Sequence, residues 1–254
     1  MLSYIYDGTF EGLLSAILEA LARKEMPDQI LTEVRLVPNL FLETRTIKTD
    51  NVKTERLLTI IMQRLPEAAL KDLIYCFLAE EKDIEIDILC YLKMAIQSKV
   101  NIEHNLANCN VFRIRKISDR VIKELQRYWG IVRFRKLDDG LYYAPIEPDY
   151  NIVSLLGPHF TKRFSDQQWL IHDVKRNLAI YYQLGKCTPV TIPEADAGQA
   201  RAVDQSSYLS PEEFLFQNLW RTYFKNIAIT GRINPKLQKQ HLSGRYWKYL
   251  VEKN

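Results

Sequence analysis

A chain of 254 residues with 47% apolar and 26% charged residues has the composition of a globular protein of one large or two small domains. No apolar run approaches the roughly 20 residues of a membrane span, and the N-terminus lacks the basic start and apolar core of a signal peptide. The formal net charge is +4. The sequence therefore predicts a cytoplasmic protein with no membrane partner.

The first 128 residues are predicted to form a mainly helical portion. Tyr4 to Tyr6 is a short strand candidate, and Thr9 is a suitable N-cap for an amphipathic helix that runs to about Arg23. Further helices are predicted, from apolar residues spaced three and four apart, at 54–65, 67–79, 84–97 and 111–128.

Residues 129–193 are predicted to form the unit around which the chain is organised, an antiparallel β-β-α-β-β sheet unit. Its helix is expected at 152–164, and its four strands are expected at 131–135, 141–146, 168–173 and 178–182. The Asp139-Gly140 pair favours a tight hairpin turn between the first two strands. Pro189 limits the stretch after the fourth strand to an edge position. A sheet of this kind has one covered face and one open face, and the open face is where a functional surface is expected.

The end of the chain is predicted to be a linker, residues 194–209, followed by a basic helical segment, residues 210–254, that packs back on the sheet. Ser210 with Pro211 predicts the start of one helix, and Asn234-Pro235 the start of the last, which bends near Ser243. The fold class predicted for the whole chain is α+β.

Positive charge is concentrated at the C-terminal end. Residues 221–254 contain eight Lys or Arg and one Glu, a net charge of +7. Clustered cations of this kind are typical of proteins that bind a polyanion, because Lys and Arg make phosphate contacts. A solvated basic helix would show the same pattern, so charge alone leaves both interpretations open.

Signatures of catalysis and of metal binding are mostly absent from the sequence. There is no phosphate-binding glycine loop, nucleophile elbow or HExxH motif. The cysteines are far apart and form no CxxC pair, which argues against a disulfide framework or a zinc site: Cys76, Cys90, Cys109 and Cys187. The histidines are also scattered: His104, His159, His172 and His241. No metal and no cofactor is therefore predicted.

The best cluster of chemically active side chains lies in the central unit. Its members are His159, Arg163, Trp169, His172, Asp173 and Arg176. His159 and Arg163 are four residues apart and share a helix face. The candidates for acid, base or nucleophile are His159, His172 and Asp173.

Two interpretations of this cluster compete. In the first, Arg163, His172 and Arg176 line a phosphate- or base-binding surface with Trp169 as a stacking platform. In the second, Asp173 turns the hairpin and pairs with Arg176, while Trp169 is a core residue. Adjacent strand residues point to opposite faces, so a direct dyad of His172 and Asp173 is sterically disfavoured in either case.

The C-terminal segment interleaves basic and aromatic residues. The candidate nucleic-acid contacts there are Arg232, Lys236, Lys239, Arg245, Tyr246, Trp247 and Lys248. In nucleic-acid binders this mixture supplies phosphate contacts and stacking together. An amphipathic helix that docks Trp247 on the sheet and keeps its basic head groups in water would have the same sequence.

Three stretches resemble a known family: YIYDGTFEG at residues 4–12, HFTKRF with WLIHD and Arg176 at 159–176, and NPKLQ with RYWK at 234–248. The chain resembles, over essentially its whole length, a bacterial family of DNA-repair or DNA-metabolism proteins found beside a radical SAM protein. A similar domain is also fused to uracil-DNA-glycosylase-like domains. Ser243-Gly244 replaces the proline expected before the RYWK run. The resemblance supplies no catalytic residues.

The resemblance implies a DNA repair or modification accessory protein that binds nucleic acid and acts with a radical SAM partner. That partner, rather than this chain, would hold the iron–sulfur cluster, because the cysteines here lack cluster spacing. Two alternatives remain: an enzyme that acts on a nucleotide or nucleic acid through His159, His172 and Asp173, and a scaffold whose basic segment binds an acidic protein.

Overall fold

The computed structural model describes residues 2–37, 42–98, 102–103, 105–193, 209–232 and 234–253. Helices and strands are mixed along the chain, which confirms the α+β class. The chain forms two compact units, residues 1–122 and 123–254. Within the described ranges, none of the helices combines the length and apolar character needed to cross a bilayer. The division into four segments stays a prediction, and residues 194–208 of the predicted linker lie outside the described ranges.

The N-terminal unit contains a three-stranded parallel sheet. Strand β1 (Leu2–Tyr6) lies between β2 (Gln29–Thr32) and β3 (Glu43–Thr46). The first of these strands was predicted, and the other two were not. Each is only four residues long, and β3 reads Glu-Thr-Arg-Thr, with no apolar residue to mark a buried face.

Helices supply most of the N-terminal unit, as predicted. They are α1 (Phe10–Arg23), α2 (Asn51–Arg64), α3 (Glu67–Leu78), α4 (Ile84–Gln97) and the first half of α5 (Cys109–Ile131). The predicted N-cap is confirmed, since the Thr9 hydroxyl accepts a hydrogen bond of 2.9 Å from the Gly12 amide. Helix α2 begins three residues before its predicted start, because the Asp50 carboxylate caps it through the Lys53 amide.

Gly12 leaves room for the carboxylate that closes the start of α1. A Cβ at Gly12 would lie 2.1 Å from Asp7 Oδ1 and 3.1 Å from Thr49 Oγ1. Asp7 accepts hydrogen bonds from the Thr9 amide at 2.9 Å and from the Thr49 hydroxyl at 2.6 Å. We expect Gly12→Ala to displace this carboxylate and to lower the free energy of unfolding by about 1–2 kcal/mol, measured by urea denaturation.

The matched control is Gly130→Ala in α5, where an added Cβ has no heavy atom within 4 Å. Alanine is the better helix former, so this variant should be as stable as the wild type or more stable, by up to about 1 kcal/mol. A Gly12→Ala protein that gains as much as the control would contradict the proposed role of Asp7.

The C-terminal unit is built on a five-stranded sheet. Its strands, in both chain and spatial order, are β4 (Arg135–Lys136), β5 (Tyr142–Ile146), β6 (Trp169–Asp173), β7 (Leu178–Gln183) and β8 (Lys186–Thr191). Strands β5 and β6 are parallel, and the other neighbours are antiparallel. The prediction of an all-antiparallel unit was therefore wrong at its central pair.

The physical reason is the crossover helix α6 (Val153–Arg163), which connects β5 to β6. A helix between two neighbouring strands returns the chain to the end of the sheet at which the first strand began, so the second strand runs parallel to the first. Helix α6 packs on β6, β7 and β8. The first predicted strand, 131–135, is mostly absent: Ile131 ends α5, residues 132–134 have no regular secondary structure, and only Arg135 pairs, in β4. Strand β8 with Pro189 lies at the sheet edge as predicted.

The C-terminal segment is a series of short helices. They are α7 (Pro211–Asn226), a 3₁₀ helix (Thr230–Arg232), α8 (Pro235–His241) and two more 3₁₀ helices (Gly244–Tyr249 and Val251–Lys253). The predicted cap of α7 is confirmed by the 3.3 Å hydrogen bond from the Glu213 amide to the Ser210 hydroxyl. The last predicted helix is only seven residues long and ends at His241, and the chain continues as 3₁₀ turns from Gly244.

Candidate nucleic-acid interface

Strand β6 places most of the predicted central cluster inside the unit. Trp169, His172 and Asp173 are all 0% exposed. The Trp169 ring stacks on Tyr182 at 5.1 Å between ring centroids, and its Nε1 donates a 3.2 Å hydrogen bond to the Phe164 carbonyl. Trp169 is therefore a core residue in this conformation and offers no ring face to a base.

His172 and Asp173 belong to separate hydrogen-bonded groups. His172 Nδ1 lies 2.8 Å from the Tyr143 hydroxyl. The Asp173 carboxylate accepts hydrogen bonds from the Lys175 and Arg176 amides, and it forms a 3.0 Å ion pair with the Arg176 guanidinium. Burial raises the pKa of the Asp173 carboxyl, while Arg176 acts in the opposite direction. This arrangement matches the second interpretation of the cluster, in which Asp173 turns the hairpin.

The remaining central candidates differ in their exposure. The Arg176 side chain is 11% exposed and also donates to the carbonyls of Pro148 and Asp149, so it holds a loop in place. His159 stacks on Trp129 at 5.2 Å between ring centroids. Arg163 is exposed at the end of α6. In the described part of the chain, no group of three or more His, Cys, Asp or Glu side chains is arranged to bind a metal ion.

Arg245 and Tyr246, predicted as nucleic-acid contacts, are held by acidic residues of the same unit. The Arg245 guanidinium forms ion pairs with Asp149 and, at 3.7 Å, with Glu124. Tyr246 is 4% exposed, and its hydroxyl donates a 3.1 Å hydrogen bond to Glu124. The position of Arg245 and Tyr246 in this network makes them structural, and the Arg245 charge is already balanced.

Lys248 and Trp247 are engaged in a similar way. The Lys248 ammonium lies 3.1 Å from the Glu147 carboxylate. Trp247 is half-buried, and two ammonium groups lie near its ring, Lys239 at 5.7 Å and Lys253 at 4.7 Å from the centroid. Such cation–π contacts hold the ring in place without neutralising either lysine.

Four exposed cations of the C-terminal segment, residues 210–254, are different from Arg245 and Lys248, because none of them has a carboxylate partner in the described ranges. We call them the basic face: Lys225, Arg232, Lys236 and Lys239. They lie on the last turn of α7, on the 3₁₀ helix that follows, and on α8. The Asn234 side chain caps α8 by accepting a 3.0 Å hydrogen bond from the Leu237 amide, which fixes the backbone that carries the last two lysines.

A cleft of about 800 Å³ lies in the same unit, beside α7 and the β4–β5 hairpin. Phe216 and Trp220, one turn apart on α7, line one side and are 60% and 40% exposed. Tyr142 of β5 and Phe134, the residue before β4, also line it. We call this site, defined by these four rings, the aromatic cleft.

The cations that line the aromatic cleft differ in whether they are paired with a carboxylate. Arg133 forms a 2.8 Å ion pair with Glu252, and Lys136 forms one of 2.8 Å with Glu212. Arg163 has no carboxylate partner in the described ranges, and its guanidinium lies 5.6 Å from the centroid of the adjacent Phe164 ring. Arg163 is therefore the cation of the cleft that is available to an anionic ligand.

The candidates predicted from the sequence include Arg163 and three residues of the basic face, but not Lys225 or the rings of the cleft. A usable signal existed in α7. Its apolar residues are distributed around the helix rather than along one stripe: Phe214, Leu215, Phe216, Leu219, Trp220, Tyr223 and Phe224. One buried face cannot account for all of them, so some had to be exposed and available to a ligand.

The fold and site define an α+β protein whose C-terminal unit combines a basic face with an aromatic cleft. Residues 82–252 match the family described as Domain of unknown function (DUF4130), and the chain belongs to this family. The match begins next to α4 and includes both the basic face and the cleft. No curated protein matches the chain.

Proposed function

We propose that the C-terminal unit binds nucleic acid through the basic face, and that the protein is a DNA repair or modification accessory acting with a radical SAM partner. The observation that carries the binding proposal is the set of four exposed cations that have no carboxylate partner within the part of the chain that the structure describes. Such cations bind phosphates and release condensed counterions, which is the main source of sequence-independent affinity. The assignment to DNA and to the radical SAM partner rests on the family resemblance.

The proposed contact surface is smaller than the one expected from the sequence. Arg245 and Lys248 are paired with carboxylates, so phosphate contacts there would have to break existing ion pairs. Arg232 and Lys236 form no ion pair with any of the described residues, so phosphate contacts there break none of these. Mutation of Arg232 and Lys236 should therefore change DNA binding without changing the stability of the fold.

The test is the salt dependence of DNA binding by an Arg232→Gln/Lys236→Gln variant, measured by fluorescence anisotropy. Each phosphate contact contributes roughly 0.7 to the slope of log K against log salt for single strands. Loss of two contacts should make the slope less steep by about 1.4 and should weaken binding at low salt. An unchanged slope would remove the basic face from the binding site.

The control is Lys175→Gln/Lys186→Gln, which removes the same charge from exposed positions in the β6–β7 turn and on β8. This variant should bind almost as the wild type does. Equal effects of the two double variants would mean that total charge, rather than the basic face, controls binding. Displacement of DNA by an acidic protein at the same residues would favour the scaffold alternative.

The enzyme alternative gains no support from the site. His172 and Asp173 are fully buried, and their side chains contact Tyr143 and Arg176 respectively. A substrate would have to open the sheet core to reach either one. Binding therefore accounts better for the exposed residues than catalysis through these groups.

A further inference from the structure

We infer that the aromatic cleft receives unpaired bases, so that the C-terminal unit prefers single-stranded to duplex DNA. This inference rests on the proposed function and specifies its substrate. The bases of a duplex are stacked on one another and paired, whereas those of a single strand can turn outward and stack on protein side chains. The cleft offers rings for such stacking, and the preference for single-stranded over duplex DNA depends on these rings.

The exposed rings of α7 are placed for stacking. Phe216 and Trp220 are four residues apart and so are neighbours on one helix face. Trp220 is held in position, since its Nε1 donates a 3.0 Å hydrogen bond to Glu252 and the Arg133 guanidinium lies 5.9 Å from its ring centroid. A ring fixed before binding loses little conformational freedom when a base stacks on it.

The lining of the cleft fits a nucleic acid better than an apolar helix. A groove that binds an apolar helix presents hydrophobic anchor pockets along its length. Here Val251 is the one aliphatic side chain among the described residues that line the cleft, and the other apolar ones are aromatic. Aromatic rings mixed with Arg and Lys are the combination found in single-strand binding grooves.

The acidic residues of the cleft are already satisfied by other groups. Glu212 pairs with the Lys136 ammonium at 2.8 Å. The Glu213 carboxylate accepts hydrogen bonds from the Lys136 amide at 3.0 Å and from the Gln217 side chain at 2.9 Å. Lys136 is thus already paired, and phosphates should approach Arg163, which has no carboxylate partner in the described ranges.

A series of contacts connects the cleft to the basic face. Val251 lines the cleft, and Lys253 follows it two residues later. The Lys253 ammonium lies 5.4 Å from the Phe224 ring centroid and 4.7 Å from that of Trp247, which Lys239 of the basic face also contacts. A strand can thus follow cations from the cleft to α8 with its bases in the cleft.

The experiment compares Phe216→Ala with Phe214→Ala, the same substitution on the same exposed helix but outside the cleft. Anisotropy is measured with a single-stranded oligothymidylate and with a duplex of equal length. Wild type should prefer the single strand. Phe216→Ala should weaken single-strand binding by about 5- to 150-fold, the equivalent of one lost stacking contact, and should leave duplex binding unchanged. Phe214→Ala should bind both forms as wild type does.

Three results would overturn the inference: no effect of Phe216→Ala on the single strand, an equal effect on the duplex, or an equal effect of Phe214→Ala. The last would show that the exposed apolar surface of α7 in general, and not the aromatic cleft, affects binding. The Arg232→Gln/Lys236→Gln variant in the same assay separates the two proposals. If it loses affinity while Phe216→Ala does not, only the cleft inference fails, and if neither loses affinity, both fail.

Discussion

Replacing Arg176 by alanine is expected to lower the free energy of unfolding by about 3–5 kcal/mol, the usual cost of removing one partner of a buried ion pair. Asp173 is 0% exposed and the Arg176 side chain is 11% exposed, so solvent cannot replace the lost guanidinium. The same side chain donates to the Pro148 carbonyl at 3.2 Å and to the Asp149 carbonyl at 2.7 Å. Urea denaturation of the full chain measures the loss.

This loss should depend on pH. Burial raises the pKa of the Asp173 carboxyl in the folded protein, and Arg176 partly opposes that rise. Without Arg176 the folded-state pKa rises further above the unfolded value, so the variant loses stability as pH increases through this range. The deficit relative to wild type should therefore be largest at neutral pH and should shrink on acidification, when a protonated Asp173 needs no counter-charge.

An Asp173→Asn/Arg176→Ala double variant serves as the control, because asparagine keeps an acceptor for the turn amides and carries no charge. It should be more stable at neutral pH than Arg176→Ala alone, and its stability should vary less with pH. A deficit that is the same at all pH values in the single variant would show that the carbonyl contacts, and not the ion pair, explain the effect.

The helices of this chain could be predicted from sequence because their signals are local. Thr9 and Ser210 were identified as N-caps, and both accept the expected amide hydrogen bond. The apolar spacing also gave α3 and α4 to within one residue. Capping and periodicity involve residues less than two turns apart, so the chain beyond them has little influence.

Strand pairing was less accessible because it depends on distant residues. Residues 141–146 and 168–173 were both predicted to be strands. The sequence of each strand, however, does not show whether its neighbour runs parallel or antiparallel to it. The parallel pairing follows from the crossover by α6. In the N-terminal unit, β2 and β3 are short and carry a weak strand pattern of their own. They form strands because both pair with β1, which lies between them.

The pairing of charges in the candidate site also depends on residues that are distant in sequence. The cations of the last 34 residues look alike in the sequence, yet Arg245 is paired with a carboxylate 96 positions away and Lys248 with one 101 positions away. Arg232 and Lys236 have no such partner in the described ranges. Local sequence gives the number of charges, whereas the fold decides which of them are left for a ligand.

The second large effect is expected at Glu124, a 3% exposed residue of α5 that holds the C-terminal segment in place. Its carboxylate accepts hydrogen bonds of 3.0 Å from the Asp149 and Tyr150 amides and of 3.1 Å from the Tyr246 hydroxyl, and it lies 3.7 Å from Arg245. Glu124→Ala would leave buried donors without an acceptor. The expected loss is about 3–5 kcal/mol in the free energy of unfolding.

Glu124→Gln is the matched control, because its carbonyl oxygen still accepts hydrogen bonds while its amide group does not, so its loss should be smaller. The comparison also tests how the 3₁₀ helix Gly244–Tyr249 is held. If Glu124 anchors it through Tyr246, Glu124→Ala should open this segment to limited proteolysis before the unit as a whole unfolds, because the ion pairs of Arg245 with Asp149 and of Lys248 with Glu147 are exposed and worth only about 0–1 kcal/mol each. Protection equal to wild type would mean that packing of the Tyr246 ring on Tyr128, at 5.5 Å, is sufficient to hold the segment.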